Sequence, residues 1–140
     1  MGRIVIIPCG HRKRSGEHRA RDLYTGPYFK SCLNYALSIA ADDKIFILSG
    51  KYGLLGLDEF VISYDVKMGD SQSITCYIVQ EQAGERGIIL LPVIAIGGKK
   101  YTNLCRKVWE NCLTPLDGVG GMGKQMQWMK KNRGINPEYS

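Results

Sequence analysis

A cysteine next to basic residues is the first candidate for chemistry in this sequence. Cys9 follows the apolar run 3–8 and precedes the basic stretch 12–14. Neighbouring cations favour ionisation of a thiol, and the thiolate is the nucleophilic form. Cys9 is therefore a candidate catalytic residue, with His11 close enough in sequence to pair with it. The alternative is that Cys9 is a small packing residue and that the loop after it only binds a ligand.

The basic residues of this first loop predict an anionic ligand. Lys13 is a candidate phosphate contact together with Arg12 and Arg21, because ammonium and guanidinium groups bind phosphate oxygens. The net charge of +6 is concentrated in residues 1–30, with seven Lys or Arg against two acids, and in residues 99–133, with eight against two. This pattern favours a phosphate-bearing partner at one surface. The alternative is a basic surface that is only solvated.

A second group of candidates follows the apolar run 45–48. Ser49, Lys51 and Tyr52 are the first polar residues after this run. Lys51 is a candidate catalytic amine or anion contact, and Tyr52 could stack on a base or a sugar. Asp65, further along, offers a carboxylate that could act as an acid or a base. The alternative for Lys51 is an ordinary solvent-exposed position.

The apolar pattern predicts the elements that hold these loops. Runs at 3–8, 45–48 and 88–96 each end at a small residue and a polar loop, which is typical of strands buried on both faces. Helices are predicted at four places, namely from Pro27 to about residue 40, from Asp70 or Ser71 through Glu85, from 99 to 113 and from 123 to 132. The alternation predicts a parallel sheet in a three-layer α/β sandwich. Residues 9–25 and 50–69 are expected to be irregular.

Ligands of such folds bind beyond the carboxyl ends of the strands. We therefore expect the loops 9–25, 49–69 and 97–101 to converge on one site. The third loop supplies Gly97, Gly98 and Tyr101 as candidate binding residues. Tyr24 of the first loop is a candidate to pack on a base.

The whole chain predicts a single α/β domain over residues 1–133 and a polar tail over 134–140. No signal peptide and no run of about 18 apolar residues is present, so a cytoplasmic protein that does not enter a membrane is expected. The number of cysteines is odd and their spacing is scattered, which favours reduced thiols. Three of them lie inside predicted helices and away from the predicted ends, namely Cys32, Cys76 and Cys105. With only two histidines, no metal site and no cofactor are predicted.

The glycine-rich segment 118–124 fits both G-x-G-x-x-G and G-x-x-x-x-G-K. Both motifs need a preceding strand, whereas residues 113–117 are predicted to form a turn after a helix. Gln125 also stands where a P-loop has Ser or Thr. A tight structural turn is expected, although a helix that begins there could still face an anion.

Six stretches of the chain together resemble a group of small, largely uncharacterised bacterial and phage proteins. These stretches are PCGHRK, ARDLYTGPYF, ILSGKYGLL, SYD, GGKKY and GVGGMGKQMQWMKK. The family signature is Cys/Ser-x-x-x-Lys, LYxGxxF and LSAKYGL, and Gly50 stands where the family usually has Ala.

A more distant similarity links Pro8-Cys9-x-x-x-Lys13 to the Pro-Cys-x-x-x-Lys-Pro-Tyr motif in the core domain of archaeosine synthase, although Arg14 replaces the second Pro. That enzyme modifies a deazaguanine base in tRNA, and its core is similar to the uracil-DNA-glycosylase-like α/β fold. The resemblance implies a Rossmann-like or uracil-DNA-glycosylase-like fold and a nucleobase, nucleotide or nucleic-acid ligand. The implied site residues are Cys9, Lys13, Tyr24, Ser49, Lys51, Tyr52 and Asp65.

Two functional hypotheses follow. The first is an enzyme that acts on a nucleotide or on a base in nucleic acid, by glycosidic-bond cleavage or base modification. The second is a non-enzymatic protein, for example one carried by a phage, that sequesters nucleotides or binds nucleic acid. The oligomeric state and the choice between DNA, RNA and free nucleotide stay open.

Overall fold

The structure is a computed structural model, and it describes residues 2–137. Its strands in chain order are β1 (Ile4–Pro8), β2 (Glu17–Arg19), β3 (Ile45–Ser49), β4 (Gly53–Gly56), β5 (Phe60–Ile62), β6 (Val93–Ala95) and β7 (Cys112–Leu113). Its helices are α1 (Ala20–Leu23), α2 (Pro27–Ile39), α3 (Cys76–Glu85), α4 (Lys99–Val108) and α5 (Met122–Lys131), with a 3₁₀ turn at Asp42–Lys44.

A five-stranded sheet in the order β4-β3-β1-β6-β7 forms the centre of the molecule. The strands β3, β1, β6 and β7 run parallel, and the edge strand β4 runs antiparallel to β3. Because β1 lies between β3 and β6, the chain first turns to one side of β1 and later returns on the other. The predicted mixed α/β architecture with a mostly parallel sheet is confirmed.

Alternating side chains of the buried strands fill two separate cores. Val5 and Ile7 of β1 pack toward α2 and α5, whereas Ile4 and Ile6 pack toward α3 and α4. All five residues of β1 are buried, as expected for a strand covered on both faces. Helices therefore cover both faces of the sheet and form the three-layer arrangement.

The prediction that two stretches are irregular is wrong in part. The stretch 9–25 contains β2 and α1, and the stretch 50–69 contains β4 and β5. Strands β2 and β5 pair antiparallel in a small second sheet, with His18 opposite Val61. Each has only three residues, and only Val61 of the six is buried, so neither has enough alternation to be recognised from sequence.

Other predicted boundaries are also corrected. Helix α3 begins at Cys76, after Thr75, whose hydroxyl accepts a hydrogen bond from the amide of Ile78 at 3.4 Å. Asp70 instead accepts from the amide of Lys67 in a separate turn. The third central strand is only β6, since Pro92 precedes it. Helix α4 ends at Val108, and part of its predicted length is the edge strand β7.

The first part of the predicted tail packs against helix α2. The amide of Gly134 donates to Ser38 Oγ at 2.9 Å, and the hydroxyl of Tyr35 donates to the carbonyl of Ile135 at 3.0 Å. Residues 138–140 lie outside the described residues. Across residues 2–137, no helix combines the length and the apolar character needed to cross a bilayer.

Candidate functional site

The loops after β1, β3 and β6 meet at the carboxyl edge of the sheet. The connection from β1 to β3 passes through α2 on one face, and the connection from β3 to β6 passes through α3 on the other. Where successive connections pass on opposite faces of a sheet, a crevice opens between the carboxyl ends of the two adjacent strands from which they diverge. Here these strands are β1 and β6. Cys9 follows β1 at this point. Its sulfur lies 3.3 Å from the hydroxyl oxygen of Tyr101 on α4.

A chain of hydroxyl groups lies beside Cys9. The hydroxyl oxygens of Tyr24 and Tyr64 are 2.6 Å apart, and Ser49 Oγ donates to the Tyr64 hydroxyl at 2.8 Å. The fully buried Ser49 accepts from the amides of Lys51 and Tyr52, at 3.1 and 3.0 Å. Strand β3 thus ends in a turn whose amides fix the serine, and the serine fixes the tyrosine pair.

Lys13 covers this tyrosine pair. Its ammonium nitrogen lies 4.5 Å from the ring centroid of Tyr64 and 6.0 Å from that of Tyr24, which is cation–π geometry. A backbone bridge between Lys13 and Tyr24 holds the loop in place. The edge of the Tyr52 ring meets Tyr64 at a centroid distance of 5.3 Å. An ammonium group is therefore held over aromatic rings at the same edge of the sheet as Cys9.

Three tyrosines that interact electrostatically with Cys9 are held as neutral phenols. Burial is the main cause that raises the pKa of Tyr24, Tyr64 and Tyr101 above the usual range, and electrostatic repulsion from Cys9 is the second cause for each. All three groups therefore keep their protons under ordinary conditions. They can act as hydrogen-bond donors toward a ligand.

An apolar cavity of about 460 Å³ opens beside Cys9 between α2, α4 and α5. Its apolar wall is formed by Pro8, Pro27, Tyr28, Phe29, Tyr101, Met122 and Met126, and its polar lining includes Cys9, His11, Arg12 and Gln125. On the other side of Cys9 lies a smaller cavity of about 250 Å³, whose cationic lining is Lys13, Lys67 and Lys100. Cys9 therefore stands between an apolar space and a basic one.

A third cavity of about 560 Å³ adjoins the apolar one and shares Gly98 and Gln125 with it. The glycine-rich segment 118–121 lies here and leads into α5, as expected of a turn that begins a helix. Arg106 pairs with Asp117 at its edge. Lys99 adds a further cation.

The structure brings most of the predicted site residues together. Those at the convergence of the three loops are Cys9, Arg12, Lys13, Tyr24, Ser49, Tyr52, Gly97, Gly98 and Tyr101. Gly97 has a φ of +127° and lies against the ring of Pro8. The loop after β6 can therefore approach β1 closely only because residue 97 has no side chain.

Of the other three predicted residues, Arg21 lies apart from this group, whereas Lys51 and Asp65 are exposed neighbours of Tyr52 and Tyr64. Arg21 is held in ion pairs with Asp42, at 2.5 Å, and with Asp58, at 3.1 Å. Since Asp42 begins the 3₁₀ turn that precedes β3, Arg21 lies near the amino end of that strand, opposite Ser49. Lys51 is exposed, with its ammonium 5.3 Å from the Tyr52 ring centroid. Asp65 is also exposed and makes no hydrogen bond or ion pair with the rest of residues 2–137.

Sequence reasoning missed two tyrosines of the site. Tyr64 connects Ser49 to Tyr24, whereas the sequence indicates only the neighbouring Asp65 of the SYD stretch as a functional candidate. Tyr28 lines the apolar cavity and donates to Gln125 Oε1 at 2.5 Å, which joins α2 to α5. The sequence signal for Tyr64 was its position downstream of Ser49, which ends a predicted strand. The contacts of Tyr64, however, depend on packing between segments that are distant in sequence.

The fold and the site define a mixed α/β protein with a thiol and a cluster of phenols at the carboxyl edge of its parallel strands. The chain belongs to a family described as a family of unknown function (DUF6884), which is matched over residues 4–131. The uncharacterized protein YfjM of Bacillus subtilis (strain 168) is 31% identical to it over 152 aligned positions, which cover 99% of each chain. No solved structure matches the chain with significance. The predicted membership of an uncharacterised family is confirmed.

Proposed function

We propose that this protein is an enzyme that acts on a nucleotide or on a base in nucleic acid, by cleaving the glycosidic bond or modifying the base. The observation that carries the proposal is the apolar cavity next to Cys9. Its volume of about 460 Å³ lies within the range of ligand sites, about 300–1,000 Å³. Its wall of Tyr28, Phe29, Tyr101 and methionines suits a flat heterocycle, because bases stack on aromatic side chains.

Basic residues around the cavity support a phosphate on the same ligand. Arg12 lies at the apolar cavity, and Lys13, Lys67 and Lys100 line the smaller cavity on the other side of Cys9. Ammonium and guanidinium groups are the usual partners of phosphate oxygens. A ligand with its base on the apolar side of Cys9 would place its phosphate among these cations.

Cys9 is the candidate catalytic residue in this proposal. The thiol is half-buried, lines both cavities and lies 3.3 Å from the hydroxyl of Tyr101. A thiol in that position can contact the reacting atoms of a bound base. No cofactor is part of the proposal.

The finer fold assignment belongs to the same proposal. The parallel strands in the order β3-β1-β6-β7 have the 2-1-3-4 order found in flavodoxin-like doubly wound sheets. This order supports a Rossmann-like or uracil-DNA-glycosylase-like relationship. The similarity of Pro8-Cys9-x-x-x-Lys13 to the archaeosine synthase motif supports a nucleobase, nucleotide or nucleic-acid ligand.

A non-enzymatic role is the second candidate, and the positions of Lys51 and Asp65 favour it. Both are candidate catalytic groups, but both side chains are exposed and neither makes a hydrogen bond to another residue within 2–137. A protein that only sequesters nucleotides or binds nucleic acid needs the cavity and the cations but no acid–base pair. In that case a bound nucleotide should be recovered unchanged.

The test compares two tryptophan substitutions on helix α5. Met126→Trp should fill the apolar cavity, whereas Gln127→Trp lies on the exposed face of the same helix. We expect a nucleobase, nucleoside or nucleotide from a panel to raise the melting temperature of the wild-type protein and of Gln127→Trp, but not that of Met126→Trp. Equal shifts in the two variants, or no shift with any ligand, would contradict the proposed cavity.

Chromatography with mass spectrometry of the incubated ligands then separates the two candidates. Turnover that Cys9→Ser abolishes supports the enzyme, and a ligand recovered unchanged supports the binding protein. If nucleic acid is the ligand, affinity should fall steeply with salt, because each phosphate contact releases counterions. Cys76→Ser, in helix α3, is the matched control for the thiol substitution.

A further inference from the structure

Three cavities form a continuous row along the carboxyl edge of the sheet. The apolar cavity of about 460 Å³ shares Gly98 and Gln125 with the cavity of about 560 Å³ on one side. On the other side it shares Cys9 and Tyr101 with the basic cavity of about 250 Å³. The proposed function uses the apolar cavity for a base and the basic cavity for a phosphate. It leaves the third cavity, of about 560 Å³, without a role.

The third cavity carries positive charge of its own. Lys99 lines it, and the side chain of Lys124 packs on Gly120 in its wall. Neither ammonium group forms an ion pair with an acid of the described residues. Asp117 is the acid among the lining residues, and its charge is neutralised by the ion pair with Arg106. A concave surface with a net positive charge attracts an anion.

The opposite end of the row is cationic as well. Lys67 and Lys100 of the basic cavity are exposed, and they too form no ion pair within the part of the chain that the structure describes. Lys99 and Lys100 are consecutive in the first turn of α4, which contains no acid. Cations are unfavourable in the first turn of a helix, because the amides there already carry partial positive charge. Helix α4 thus directs one lysine to each outer cavity at an electrostatic cost that bound anions would offset.

Two cationic cavities on either side of one apolar cavity match a ligand with a phosphate on each side of a base. A nucleoside monophosphate carries its phosphate on one side only, whereas every inner nucleotide of a strand lies between two phosphates. A base can enter a protein cavity only after it has left the stack of a duplex. Cationic grooves with aromatic rings between the cations are typical of proteins that bind single strands.

We propose that the third cavity is a second phosphate site, and that the ligand is a single-stranded polynucleotide that crosses the row with one base in the apolar cavity. The phosphate on one side of this base lies near Lys99 and Lys124, and the phosphate on the other side lies near Lys67 and Lys100. The assignment rests on the proposed function, because it keeps the base in the apolar cavity. It selects a strand over a free nucleotide as the ligand.

The test measures the binding of fluorescein-labelled single strands of about 15 nucleotides, one of DNA and one of RNA, by fluorescence anisotropy over a range of salt concentrations. Lys99→Gln and Lys100→Gln each neutralise one lysine, at opposite ends of the row. Each should reduce the slope of log affinity against log salt concentration by about 0.7, the contribution of one phosphate contact in a single strand. Lys107→Gln is the matched control on the same helix, since Lys107 is exposed in its last turn and lines none of the three cavities. It should keep the wild-type slope.

Two comparisons locate the strand and separate this inference from the proposed function. Met126→Trp should weaken binding of the better strand, whereas Gln127→Trp should not. The inference is overturned if Met126→Trp has no effect, if only one of the two lysine substitutions in the row reduces the slope, or if Lys107→Gln reduces it equally. It is also overturned if neither strand binds more tightly than a nucleoside monophosphate. A monophosphate that still raises the melting temperature then leaves the proposed function intact, whereas no shift with any nucleotide contradicts that function as well.

Discussion

Replacing Gly97 with alanine should damage the junction between β1 and β6, and the neighbouring glycine provides the matched control. Gly97 follows β6 with a φ of +127°, and a Cβ at this position would lie 2.9 Å from Cγ of Pro8. Gly98 is the N-cap of α4 with a φ of −75°, and a Cβ there would meet nothing within 4 Å. The two substitutions add the same methyl group at adjacent positions.

The magnitude comes from two separate costs. A non-glycine residue at a strongly positive φ costs about 1–3 kcal/mol. The methyl group also meets a proline ring that is fixed in the buried strand β1, and such overpacking costs about 1–3 kcal/mol. Gly97→Ala should therefore reduce the free energy of unfolding by about 2–6 kcal/mol. Gly98→Ala loses only the preference for glycine over alanine at an N-cap, about 0.5–1 kcal/mol.

Urea unfolding followed by tryptophan fluorescence measures both values. A double substitution, Pro8→Ala with Gly97→Ala, should lose less stability than the sum of the two single substitutions, because the contact is removed but the backbone strain stays. Equal losses for Gly97→Ala and Gly98→Ala would refute the close approach of the two loops. If the losses of the two single substitutions are strictly additive in the double variant, only the contact between residue 97 and Pro8 is refuted.

Three further predictions concern packing and pH. Gly50→Ala should reduce the melting temperature, because a Cβ there would lie 2.9 Å from a backbone oxygen of the segment 66–68; an unchanged value would contradict this crowding. Trp109→Phe removes the indole hydrogen bond to the carbonyl of Ile88, at 3.1 Å, but this carbonyl also accepts from the amide of Leu91, so the loss in urea unfolding should be about 0.5–1.5 kcal/mol, and an unchanged stability would contradict a contribution from the indole hydrogen bond. Burial raises the pKa of Cys112 to about 11 from 9.0, so the folded protein holds this proton more tightly than the unfolded chain. The contribution of this group to the free energy of unfolding is complete below pH 9 and is lost as the pH rises through 11. The urea midpoint should therefore decrease between pH 9 and pH 11, and this decrease should be smaller in Cys112→Ala.

The central sheet could be predicted from sequence because its strands are short, apolar and bounded by small residues. The runs that became β1 and β3 carry enough β-branched and apolar residues to be recognised, and Pro27 marks the start of α2. The carboxyl ends of parallel strands must share one edge of the sheet, so the meeting of Cys9 with the loop after β6 also followed from the strand order.

The roles of the charged candidates could not be predicted in the same way. Arg21 and Lys13 are both basic residues of the first loop, and nothing local distinguishes them. Arg21 is withdrawn from the site because Asp42 and Asp58, which are distant in sequence, fold against it. Lys13 stays at the site because its loop is bridged to Tyr24. Partners of this kind are set by tertiary contacts rather than by residue type.

The same reasoning explains why Tyr64 was missed and Asp65 was favoured. Tyr64 follows β5 by two residues, and β5 pairs with β2, which follows the loop of Lys13. The amide of Ser63 donates to the carbonyl of Gly16 at 2.9 Å and extends this pairing toward the site. A three-residue strand pair outside the main sheet thus sets the distance between the ammonium of Lys13 and the Tyr64 ring. Because this pairing joins segments more than 40 residues apart, the geometry around Cys9 depends on contacts that no local pattern contains.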